Sequence, residues 1–161
     1  VTLLSNRIRY VETVTEIAND VFIMPDIPII KSIDTGFGDF TFKRDGMMAN
    51  DEFEDELFLC IRGKNGISLL SSCSHRGITN IAAAANNYFN LPVKLIIGGF
   101  HIRNSGPEQL DLNKKEFIRQ GVRSIGVCHC TGVEKYAELS EFFKEKVFYN
   151  YTGNVINSFD R

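Results

Sequence analysis

Three short apolar runs in this chain break off in the same way, and that repetition constrains the fold more than any other feature. Ile67 to Ser72 (ISLLSS) leads into Cys73-Ser74-His75-Arg76-Gly77, and Val93 to Ile97 (VKLII) into Gly98-Gly99-Phe100-His101. Val122 to Val127 (VRSIGV) leads into Cys128-His129-Cys130-Thr131-Gly132. Short apolar runs bounded by Gly and small polar residues read as buried strands. Between and after them lie helical stripes. Gly77 to Asn90 carries Ile78, Ile81, Ala82, Ala85 and Phe89 on one face, Leu112 to Gln120 is stopped by Gly121, and Val133 to Lys146 is amphipathic. Strands alternating with helices predict an α/β (α+β) layered architecture.

Upstream the pattern is more purely β. Arg7 to Val14 (RIRYVETV) alternates and reads as a strand, and VFIM within Glu16 to Asp26 reads as another, ended by Pro25 and Pro28. Residues 30–56 hold Gly, Asp and Asn without a sustained period, so they read as one long irregular connection, a length that is often functional. Leu57 to Arg62 and the ISLLSS run flank Gly63-Lys64-Asn65-Gly66, and an Asn-Gly turn between apolar runs is a strong hairpin signal. Val147 to Ile156 reads as a closing strand or hairpin. No repeat, linker or low-complexity tract interrupts residues 1–161, which read as a single domain.

Composition narrows the function. Of 161 residues, 43% are hydrophobic and 24% charged, too apolar for a disordered chain. Lys and Arg number 18 against 20 Asp and Glu, a net charge of −2 that gives no pull toward nucleic acid or an anionic membrane. No apolar run approaches the roughly 20 residues that cross a bilayer. The expected setting is therefore cytoplasmic, with neither nucleic acid nor a membrane as partner; a small-molecule substrate enters only with the resemblance described below. Four Cys (Cys60, Cys73, Cys128, Cys130) lack the dense spacing of a disulfide scaffold and read as reduced thiols. The chain opens Val1-Thr2-Leu3-Leu4, without Met or a charged leader, which suggests either a trimmed start or the later part of something longer.

The chain has three His in all, His75, His101 and His129, and each sits just past a strand. In α/β sheets strand ends are where loops converge into sites, and His is the commonest metal-binding side chain near neutral pH. One such His taken alone reads as a hydrogen-bonded structural residue; three in similar settings favour a shared site. The cysteines allow a competing zinc site of Cys73, His75, Cys128 and Cys130, without the two-residue gap of common zinc ribbons. A nucleophilic Cys128 or Cys130 assisted by His129 is a further option, against which neighbours on a strand point opposite ways. Cys60, mid-strand, reads as core. Asp55 and Glu56, next to the hairpin, read as solvated residues or as carboxylates that orient a ligand His.

At this point the motifs become familiar. DEFEDELFLCIRGKNGISLLSSCSHRGITNI, then VKLIIGGFHI, then GVRSIGVCHCTG resemble the C-terminal half of a metallo-β-lactamase-superfamily branch. That branch is labelled 7,8-dihydropterin-6-yl-methyl-4-(β-D-ribofuranosyl)aminobenzene-5′-phosphate synthase-like. The likeness extends from about Glu16 to Ile156, and the ordered trio CSHxG, GGFH and CHCTG is specific.

The resemblance implies half of a four-layered αββα sandwich with a mixed sheet. It also implies a one- or two-metal hydrolytic site at one edge, holding zinc, iron or manganese, zinc first. It gives His129 the place of the last metal-binding histidine and His75 that of the ligand after the preceding core strand. His101 takes a catalytic place, as ligand or substrate-facing group. The superfamily's His-x-His-x-Asp-His motif has no match here. The expectation is thus a hydrolase-like chain inactive alone and completed by an N-terminal half. The alternatives are a non-catalytic binding remnant or half-subunit, with a homodimer possible, and a small zinc-stabilised domain.

Overall fold

The computed structural model describes residues 7–38 and 40–157. Seven strands form one mixed sheet in the order β1-β2-β5-β6-β7-β8-β9. β1 (Thr15–Ala18), β2 (Val21–Met24), β5 (Phe58–Arg62) and β6 (Ile67–Ser71) pair with one another antiparallel in that order. β7 (Val93–Gly98), β8 (Ser124–Val127) and β9 (Val147–Tyr149) then continue parallel from β6. The turn at Asn65-Gly66 joins β5 to β6 as the sequence predicts. A separate hairpin pairs β3 (Thr41–Arg44) with β4 (Met47–Asn50).

Helix α1 (Ile78–Phe89) links β6 to β7, α2 (Pro107–Gln120) links β7 to β8, and α3 (Val133–Phe143) links β8 to β9. Each connection steps one strand in the same direction. Right-handed crossovers then place all three helices on one face. Cross-strand register shows what they cover: Phe22, Cys60, Leu69, Ile96, Ile125 and Val147 stand side by side across the sheet, all buried. The opposite face carries an equally apolar row, Ile23, Leu59, Leu70, Ile97 and Phe148, each half-buried. The Phe148 ring of that row lies over Gly126. A mixed sheet with helices on one face is what half of a two-sheet sandwich would present.

Several expectations are corrected. The strand read at Arg7–Val14 is not formed, and β1 begins at Thr15. A strand needs a partner, and the tight turn at Asn19-Asp20, with Asp20 at φ 61°, hands the β2 edge to residues 15–18. The connection at 30–56 is not wholly irregular, because β3 and β4 lie inside it. Their turn is Asp45-Gly46, at φ 50° and 85°, the left-handed pair that Asp-Gly favours. Strand residues there are mostly exposed, so no apolar alternation announced them. Helix α2 starts at Pro107 rather than Leu112, with Pro in its first turn. The final strand stops at Tyr149, well short of Ile156. No helix among the described residues is long and apolar enough to cross a membrane.

Candidate metal centre

Parallel pairing brings Ser71, Gly98 and Val127 into register at the ends of β6, β7 and β8. The three His-bearing loops therefore leave the sheet from one edge, side by side. What they do there divides into two clusters.

The first surrounds His129. The residue opens a single 3-10 turn, His129–Thr131, at φ 22°. Its Nε2 lies 3.0 Å from Cys73 Sγ and its Nδ1 3.1 Å from Cys128 Sγ. Cys130 Sγ accepts the His101 N–H at 3.3 Å and reaches the Cys73 carbonyl at 3.5 Å. Donor atoms of Cys73, His129 and Cys130 all lie within 4.8 Å of one another, the one such group among the described residues. Gly99 makes this possible. A Cβ there would stand 2.5 Å from Cys130 Sγ and 2.6 Å from His129 Nε2.

The second cluster holds His75 and His101, whose rings are 4.5 Å apart between centroids. Phe53 stacks on His75 at 3.9 Å and 11°, and Phe40 lies 5.4 Å from His75 and 5.6 Å from His101. Glu56 secures the loop below. Its two oxygens accept the backbone N–H groups of His75 and Arg76 at 2.8 Å each, and Oε1 is 3.5 Å from His75 Nδ1. Of the two carboxylates next to the hairpin, Glu56 is the one that meets His75, and Asp55 is exposed. Gly36 packs against the His101 ring and donates to the His75 carbonyl at 2.7 Å.

The four-residue zinc set read from the sequence is corrected. Cys73 and Cys130 do converge, but on His129; His75 turns away to its aromatic neighbours, and Cys128 meets the opposite ring nitrogen. The objection to Cys128 beside His129 also falls, since Cys128 lies just past the end of β8 and His129 opens a 3-10 turn rather than continuing a strand. Burial pushes the Cys128 thiol up and the Cys130 thiol up to about 12, with Cys73 adding to both. Cys60 is core as expected, its thiol pushed up to about 12 by burial.

A cleft of about 520 Å³ joins the clusters, lined by His101, His129, Cys130, Arg103, Thr35 and Gln109 among others. Its floor depends on Asp34, which no motif flagged. This buried carboxylate accepts Thr79 N and Oγ1 at 2.7 Å and Asn113 Nδ2 at 2.6 Å, tying the 30–38 segment to α1 and α2. Burial raises its carboxyl above the ordinary value, against those donated bonds.

The fold is a mixed α/β fold with a mixed sheet, similar to that of a solved β-lactamase-superfamily structure. The chain is 32% identical to Tm1679, whose crystal structure is described as a metal-dependent hydrolase of that superfamily; the TM-score is 0.83 over 92% of this chain and 57% of that one. The branch read from the motifs is supported as well. A 7,8-dihydropterin-6-methyl-4-(β-D-ribofuranosyl)-aminobenzene-5′-phosphate synthase of Methanocaldococcus jannaschii is 31% identical over 112 residues, 69% of this chain and 38% of that protein. An uncharacterised protein of the same archaeon is 25% identical over 149 residues, 92% of this chain and 54% of that protein. The chain thus spans 38% and 54% of the lengths of these curated relatives. No protein-family model matches it.

Proposed function

We propose that this chain supplies one side of a metal-dependent hydrolase-like site, completed by a further segment that covers the open sheet face and brings the remaining ligands. In this reading His129 holds a divalent metal, zinc before iron or manganese, His75 joins it by turning out of its stack on Phe53, and His101 faces the substrate. The observation that carries this is the register of Ser71, Gly98 and Val127, which sends three His-bearing loops off one sheet edge. Bound there, a divalent metal would supply an activated water near neutral pH and polarise the bond under attack.

The chain's own residues do the rest. Glu56 fixes the backbone of the His75 loop, Phe53 limits the rotation of its ring, and Gly99 clears room for His129. Arg103, donating to the His129 carbonyl at 3.2 Å, stands at the cleft where a substrate would enter. The synthase name of one relative and the hydrolase name of another leave the substrate and the bond open, since a fold does not set a reaction. The apolar row on the open face favours one further reading, a half-subunit whose role is association.

The test is metal binding by the chain and by its His75→Ala and His129→Ala variants, measured with zinc and manganese by equilibrium dialysis. It is followed by hydrolysis of chromogenic phosphate esters once a segment bearing His-x-His-x-Asp-His is added. Both substitutions should weaken binding, and activity should require the added segment. Undiminished affinity in His129→Ala would sink the reading.

A further inference from the structure

The geometry points to Cys73 and Cys130 as sulfur ligands that join His129 in one thiolate-rich metal site contained within this chain. The inference shares His129 with the reading above but needs neither His75, nor His101, nor a hydrolytic reaction.

Four observations converge on it. The donors come from the loops after β6 and β8, held in fixed register by the sheet, and lie within 4.8 Å of one another. Zinc binds sulfur at about 2.3 Å and imidazole at about 2.0–2.1 Å, so tetrahedral donors stand roughly 3.4–3.8 Å apart and only small side-chain shifts are needed. Gly99 next leaves the space in which Cys130 Sγ and His129 Nε2 approach each other. The other nitrogen, Nδ1, faces Cys128 Sγ at 3.1 Å, a partner that fixes which side of the ring is left to a metal. The His101 N–H, meanwhile, supports the Cys130 sulfur from behind.

His129 is exposed and lines the open cleft together with Cys130, so a fourth position is accessible from solvent. Three protein ligands with one open place is the arrangement of reactive rather than purely structural zinc sites. Two sulfurs and one imidazole select zinc, cobalt or cadmium over manganese and magnesium, which prefer oxygen.

Cobalt(II) titrated into the reduced 161-residue chain tests this directly. The expected result is an intense ultraviolet sulfur-to-cobalt charge-transfer band that zinc abolishes and manganese does not. Cys73→Ser and Cys130→Ser should each remove most of the band and weaken zinc by more than the ~10–100-fold that an outer-sphere change costs. Asp55→Asn, at an exposed residue outside both clusters, should keep it.

A measurement on the unaltered chain guards against misfolded variants: zinc should protect Cys73 and Cys130, but not Cys128, from iodoacetamide, read by peptide mass. Cobalt binding without the band, a full band in both serine variants, or no protection would overturn the proposal. Binding that depends on His75 and ignores both cysteines would overturn it while leaving the hydrolase reading standing. A cysteine-dependent band in a protein that never gains hydrolytic activity would do the reverse.

Discussion

His129 and Gly99 are in such close contact that a Cβ on residue 99 would stand 2.6 Å from Nε2 of the ring. Glycine is needed here for close approach rather than for an unusual backbone angle. Gly99→Ala should therefore displace exposed His129 and half-buried Cys130 while leaving the sheet intact. We expect zinc affinity to fall at least about 10-fold, as for changes just outside a metal's ligands, with little change in the thermal melt. Dialysis and circular dichroism on the same sample check both halves, and unchanged affinity would contradict the site.

Glu56 uses both carboxylate oxygens on adjacent backbone N–H groups, and its side chain is 5% exposed. Glu56→Gln keeps the shape but turns an amide donor toward one of those donors. The cost should be about 1–3 kcal/mol, or roughly 2–4 °C of melting temperature per kcal/mol in a chain of this size. A melt indistinguishable from that of the unaltered chain would mean that the His75 loop does not depend on this clasp.

Asp34 gives a pH dependence with a definite sign. Its folded carboxyl lies above the ordinary 3.8, chiefly through burial, so the folded chain holds the proton more tightly than the unfolded one. Its contribution is then greatest below 3.8 and declines as pH rises through the folded value. Urea unfolding of the unaltered chain and Asp34→Asn at a series of pH values should show their stability difference shifting against Asp34 as pH rises from 3.8. A flat difference would refute it.

The row Ile23, Leu59, Leu70, Ile97 and Phe148 is apolar, and none of the three helices packs on its face. Patches of this kind associate. Sedimentation should show concentration-dependent self-association of the chain, suppressed by Leu59→Lys with Ile97→Lys. A monomer at every concentration, unaffected by those substitutions, would argue that the face needs no cover.

The elements that could be read from sequence were those in which local signals agree. Asn65-Gly66 between two apolar runs specifies the β5–β6 hairpin, and the Ile78, Ile81, Ala82, Ala85 and Phe89 stripe specifies α1, because turn chemistry and periodicity act over a few neighbouring residues. Asp45-Gly46 carried the same kind of turn signal, but its flanking strands are mostly exposed and lacked the apolar alternation that would have drawn attention to it. Arg7 to Val14 had the alternation but no partner, since Thr15–Ala18 takes the edge of β2. The strands β6, β7 and β8, their His-bearing ends and the likeness to a metallo-β-lactamase branch were therefore determined by sequence alone. Which donors meet was not: spacing suggested Cys73 with His75 and Cys128 with Cys130, whereas Cys73 and Cys130 both turn to His129. That choice rests on the parallel register of β6, β7 and β8, on an irregular backbone at His129, and on a missing side chain at Gly99. The register and the Gly99–His129 approach relate residues some 27 to 30 positions apart, and their distances are set by the sheet as a whole rather than by neighbours along the chain.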